Sequence, residues 1–169
     1  MKTLEEQMAF YAAYHQDARN KATHFLGVPM IIVSLFIPLA WLKVQIGPFA
    51  PTAAIAFAAV VLVYYVFLDA LLALASAIFI AAFLLAAGWI ASQGAAVGWT
   101  AFGILFVGGW ILQLVGHVFE GRRPALADNL FQIFIAPIFL CAEIFFALGY
   151  KPGLQSLVQQ RALRLRAGT

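Results

Sequence analysis

The sequence predicts an all-α, multi-pass transmembrane helical bundle, and three observations predict it. Of the 169 residues, 64% are hydrophobic and 10% charged, with a mean hydropathy of +0.95, which leaves too little polar surface for a water-soluble globule of this size. The apolar residues fall in long runs separated by short Gly, Pro and charged punctuation, the pattern of segments that cross a bilayer. The chain is also too short for more than one compact bundle, so any chemistry must come from the bundle itself. We therefore expect one membrane-embedded helical domain over 1–169. It would comprise an N-terminal amphipathic interfacial helix over 1–23, about four to five spans within 24–150, and a basic tail over 151–169.

Taken in order, Leu4, Met8, Tyr11, His15 and Ala18 recur at helical spacing while Glu5, Glu6, Gln16, Asp17 and Arg19 fall elsewhere, which predicts the surface helix. A first span from His24 to Leu42 ends at Lys43 and the turn residues Gly47, Pro48 and Pro51. It is expected to serve as the insertion signal, because no cleavable leader pattern precedes it. Residues 52–91 are too long for one crossing and are broken only by Asp69, expected as the turn and N-cap between a second span (52–68) and a third (70–91). A fourth span runs from Trp99 to Glu120 and stops at Gly121-Arg122-Arg123-Pro124. Gly98, Gly103, Gly108 and Gly109 are expected to permit close helix packing.

The last apolar stretch, Leu130 to Tyr150, carries Pro137 and Glu143 and reads either as one kinked span or as a re-entrant hairpin. A single span would divide the basic residues equally between the two faces, whereas a hairpin at Pro137 puts all but Lys43 on one face. The positive-inside rule favours the hairpin, with the N-terminus cytoplasmic. That places the chain in the inner membrane of a bacterium or the endoplasmic reticulum membrane of a eukaryote. The net charge of +3 comes from scattered span-end residues, so it reads as topology and not as a nucleic-acid surface. Cys141 is alone and reads as packing.

Polar residues inside apolar segments are the functional signal, because they are costly there. His15, His24 and His117 are the only three histidines, and span counting puts the start of the first span and the end of the fourth on one membrane face. Gln113, His117 and Glu120 share one stripe of their helix. Each histidine has a plain structural reading as an interfacial, helix-end or packed residue. Together, three imidazoles, or two with a carboxylate, make the ligand sets used for Zn²⁺ and non-haem Fe²⁺. Glu120 could pair with Arg122 or Arg123, ligate a metal or orient a ligand, while Glu143 must be protonated, paired or facing a polar cavity. Asn20 is expected to hydrogen-bond around such a site, and Glu120, Glu143 and Asn20 are the candidate catalytic residues beside the histidines. Lys21, Arg122 and Arg123 are topology determinants first and substrate head-group partners second.

The segments Tyr14-His15-Gln16 with Asn20, His24-Phe25-Leu26-Gly27-Val28-Pro29, Gln113 to Glu120 with Pro124-Ala125, and Ala136-Pro137 with Glu143 resemble the Mpo1-like membrane proteins over nearly the whole chain. The resemblance implies an Fe²⁺-dependent dioxygenase of fatty acid α-oxidation that uses O₂ to cleave the C1–C2 bond of 2-hydroxy fatty acids, with Zn²⁺ as an alternative occupant. By it, His15, His24 and His117 are the iron ligands. The other classes open to such a chain are a different metal-dependent membrane lipid enzyme and a non-enzymatic small transporter or assembly protein.

Overall fold

A computed structural model describes residues 2–124 and 130–167; Ala125, part of one resembling segment, lies outside them. Among the described residues seven α-helices form: α1 (Leu4–Ala13), α2 (Ala18–Trp41), α3 (Ala53–Leu68), α4 (Ala70–Ser92), α5 (Ala95–Glu120), α6 (Ala136–Ala147) and α7 (Pro152–Ala167), with a 3₁₀ helix at Leu130–Phe134 before α6. Among the described residues, extended pairing is limited to two isolated bridges in the turn after α2. The chain divides into two compact units, Leu26–Ile111 and Met1–Phe25 with Leu112–Thr169.

Three helices, α2, α4 and α5, are long and apolar enough to cross a membrane. Their 24, 23 and 26 residues rise about 35–39 Å at ~1.5 Å per residue, against a ~30 Å hydrocarbon core. The 16 residues of α3 and 12 of α6 reach only about 24 and 18 Å. The final apolar stretch is divided between the 3₁₀ helix and α6. Pro137 sits in the first turn of α6, where its missing N–H breaks no helical bond.

In the unit Leu26–Ile111, Asp69 is extended and its Oδ1 accepts the Leu72 N–H at 2.9 Å, so it caps α4 and lets α3 fold back on it. Small buried residues line these helices, Ala54 and Ala58 on α3 and Ala73, Ser76, Ala87 and Ala91 on α4. Large ones such as Val60, Phe67, Leu74, Ile78, Leu85 and Trp89 point outward, an arrangement suited to lipid and not to water. A Cβ on Gly98 would strike the Trp41 ring, one on Gly108 would strike Met30, and one on Gly109 would meet Ile31 and the Gly27 carbonyl. Gly103, expected in the same role, faces open space.

The other unit contains the site. Thr3 starts α1 with a reciprocal capping box: its side chain accepts the Glu6 N–H at 3.3 Å and its own N–H reaches Glu6 at 2.9 Å. The expected apolar stripe is half the story, because Gln7, Ala9, Ala12 and Ala13 are buried as well as Leu4, Met8 and Tyr11. α1 packs against α7 and α6. Residues 18–23, assigned from the sequence to the surface helix, begin α2 instead, since Asp17 accepts the Arg19 N–H at 2.8 Å and its carbonyl takes the Lys21 N–H at 3.1 Å. The segment expected as a basic tail folds as α7, which buries Val158 and Ala162 at i, i+4 spacing.

Candidate metal centre

α1 ends at Ala13 with Tyr14 as its cap, which leaves His15 in the four-residue turn to α2, past the helix end. There His15 folds back so that its Nδ1 lies 2.7 Å from the Tyr11 carbonyl, and the Tyr11 ring stacks on it at 3.9 Å. His24, two turns into α2, puts its Nδ1 2.9 Å from the Asn20 carbonyl. His117 comes from the last turn of α5. Its ring centroid lies 5.0 Å from that of His15 and 5.1 Å from that of His24. All three are buried, at 2%, 3% and 6% exposure, and one ring nitrogen from each falls within 4.8 Å of the others.

What allows α5 so close to α2 here is Gly116. A Cβ at that position would overlap Thr23 and Asn20 and press on His24 at 3.2 Å. The glycine sits next to His117 and seven residues after Gly109, on the same helix face, a signal that the sequence analysis did not use.

The tautomers define the chemistry. Carbonyl oxygens only accept, so the Nδ1 atoms of His15 and His24 both carry the proton, and each Nε2 presents a lone pair. These two Nε2 atoms face each other at 3.0 Å. Burial, and then the neighbouring His24, hold the His15 pKa well below the usual histidine value, with His117 and Lys21 adding to the effect. When both rings are neutral, two lone pairs oppose each other without a proton between them, an arrangement that a shared cation stabilises. The Nδ1 of His117 is buried with no hydrogen-bond partner. Three imidazoles, two with Nδ1 tied to a carbonyl and the third with an unpartnered Nδ1, fit a borderline divalent metal such as Fe²⁺ or Zn²⁺.

The remaining predicted residues divide into those that hold the turn and those that stand beside it. The Glu120 carboxylate accepts the N–H groups of Gln16 at 2.9 Å and Asp17 at 2.7 Å, and the Asn20 amide at 3.1 Å. Its other oxygen pairs with Arg166. Both oxygens are therefore committed to fixing the turn that carries His15. Asn20, fully buried, also donates to the Tyr14 carbonyl at 3.0 Å, while its Oδ1 is unpaired. Glu143 on α6 takes Lys21 through both oxygens, at 3.0 and 2.9 Å. Arg122 donates to the Arg166 carbonyl and lies over the Tyr14 ring, and Arg123 is exposed. Tyr11, Phe139 and Arg166 escaped the sequence reading. Phe139 packs on Tyr11 at 4.6 Å, and Arg166 lies 46 residues from Glu120, with no local pattern to join them.

A buried group of three histidines that could hold a metal ion, in a helical chain with three helices long and apolar enough to cross a membrane, defines the class: a membrane protein with a candidate metal centre. The comparisons give the class its family. The model of the Mpo1-like family, described as 2-hydroxy-palmitic acid dioxygenase Mpo1-like, matches residues 1–148, and the chain belongs to that family. It is 35% identical over 174 residues to the 2-hydroxy-palmitic acid dioxygenase of Saccharomyces cerevisiae, covering 96% of this chain and 95% of that one. No solved structure matches.

Proposed function

We propose that the chain is a membrane-embedded non-haem iron dioxygenase that shortens 2-hydroxy fatty acids by one carbon. The observation that carries this is the opposed Nε2 pair of His15 and His24 with both Nδ1 protons engaged; the activity in the name of the yeast relative supplies the substrate class. His15, His24 and His117 would hold the metal. Bound Fe²⁺ supplies O₂ activation and a Lewis acid for the carboxylate and 2-hydroxyl of the substrate. Cleaving the C1–C2 bond of R–CH(OH)–COOH with one O₂ gives R–COOH, CO₂ and H₂O, which balances without an external reductant.

The protein's own part is to keep the centre dry and ordered. Tyr11 and Phe139 cover His15 on one side, and the Tyr11 and Asn20 carbonyls fix the tautomers of His15 and His24. Glu120 and Asn20 are positioning residues, because they lock the turn and do not present a free oxygen. An acyl tail can stay against the apolar helices while its head reaches the centre. Every Lys and Arg except Lys43 belongs to the unit that carries the site, which supports a cytoplasmic N-terminus, a site on that face and a final apolar segment that re-enters.

The test is anaerobic reconstitution with Fe²⁺, then addition of O₂ and 2-hydroxypalmitate. The expected product is the acid one carbon shorter, absent with His117→Ala. Iron-loaded, folded protein that yields no shortened acid refutes the proposal.

A further inference from the structure

One ion pair beside the centre has no part in holding it. Lys21 lies three residues before His24 on α2, so the two share a helix face. Its partner Glu143 lies four residues after Phe139 on α6, and the Phe139 ring is 6.2 Å from the His15 ring. α2 and α6 thus bring the pair together beside the histidines. The side chains are 29% and 21% exposed, while the histidines are buried, so the pair stands at the open edge of the centre.

Building on the dioxygenase reading, we propose that Lys21 is the receptor for the carboxylate of the incoming fatty acid, and that Glu143 is a resting counter-ion which the substrate displaces. Glu143 engages the ammonium through both of its oxygens, and a fatty acid carboxylate can offer the same ammonium one oxygen while the other faces the metal. The site is a carboxylate site filled by the protein's own carboxylate. Exchange replaces one anion by another against the same cation, so neither state strands a charge. The Glu143 side chain is 21% exposed, which leaves it room to turn away when released. The other nearby cations have different work: Arg19 pairs with Asp17, Arg166 with Glu120, and Arg122 with the Arg166 carbonyl. An ester or amide of the same 2-hydroxy acyl chain carries no anion and gains nothing from Lys21. The pair therefore selects the free acid.

The sign of the mutational response separates this role from a structural ion pair. Equilibrium binding of 2-hydroxypalmitate and of its methyl ester is measured anaerobically, on iron-loaded and on metal-free full-length protein. Lys21→Gln is expected to weaken acid binding roughly tenfold, the loss of one charge-assisted hydrogen bond, and to leave the ester unchanged. Glu143→Gln is expected to tighten acid binding several-fold, about 1 kcal/mol of removed competition, again without effect on the ester. Lys21→Arg should keep the preference for acid. If Lys21→Gln and Glu143→Gln both weaken acid and ester alike, or neither changes the acid-to-ester ratio, the proposal is overturned. Wild type that prefers the acid through Lys21 but yields no shortened product would sink the dioxygenase reading alone. Wild type that shortens the acid while Lys21→Gln keeps its preference would sink this one alone.

Discussion

At the residue scale the centre depends on a missing side chain as much as on the histidines. Gly116 admits α5 against Thr23, Asn20 and His24, so Gly116→Ala should cost about 1–3 kcal/mol of stability through overpacking. It should also weaken metal binding at least about tenfold by parting His117 from the other two rings. Gly103 faces open space, and Gly103→Ala should be neutral or stabilise by up to about 1 kcal/mol. Thermal unfolding and metal titration of the two variants check the contrast, and equal effects would refute it. His15 supplies a pH test. Its folded pKa lies below the ordinary value of 6.5 because burial disfavours the charged ring. The unfolded chain therefore takes up a proton that the folded one resists, so stability is full above 6.5 and declines as pH falls below it, by up to about 1.4 kcal/mol per pH unit. Melting of metal-free protein from about pH 7.5 to about pH 5.5 should show that decline, and a flat profile would contradict it. The three histidines and their polar neighbours were legible in the sequence because polar residues stand out against apolar spans. Gly116 was not singled out, because a glycine's role lies in what approaches it.

At the element scale α7 is the unexpected part. Its composition reads as a charged tail, yet it packs on α1, buries Val158 and Ala162, and carries Arg166 to Glu120. Arg166 thereby braces the carboxylate that holds the Gln16 and Asp17 amides and the turn of His15. Arg166→Gln should lower metal affinity roughly tenfold, in the range for outer hydrogen-bond partners of metal ligands, while Arg164→Gln, exposed on the same helix, should leave it unchanged. Competition titration with a chelator measures both; equal affinities in the two variants would remove α7 from the account. The same element shows the limit of periodicity, which identified the buried stripe of α1 but not its partner. Two buried side chains one turn apart in α7 are too faint a signal among arginines and glutamines. Asp69 is the opposite case: a lone carboxylate in a long apolar run has few local uses besides the helix start that it caps.

At the scale of the whole molecule, span counting and structure place the histidines together for different reasons. Counting crossings puts the start of the first span and the end of the fourth on one face, whereas the structure brings them together by packing the first turns of α2 against the last turns of α5, in a unit that also holds α1, α6 and α7. A centre assembled from three segments far apart in the chain couples metal binding to the fold. Fe²⁺ at about a hundred times its dissociation constant should therefore raise stability by about 2.7 kcal/mol, a gain that a chelator reverses and that His24→Ala abolishes. The most direct measurement is iron content after anaerobic reconstitution and desalting, for wild type and for His15→Ala, His24→Ala and His117→Ala at matched size-exclusion profiles. We predict one iron per wild-type chain and almost none in any of the three variants. Wild type that retains no iron, or a folded single variant that retains it in full, would contradict the three-histidine centre.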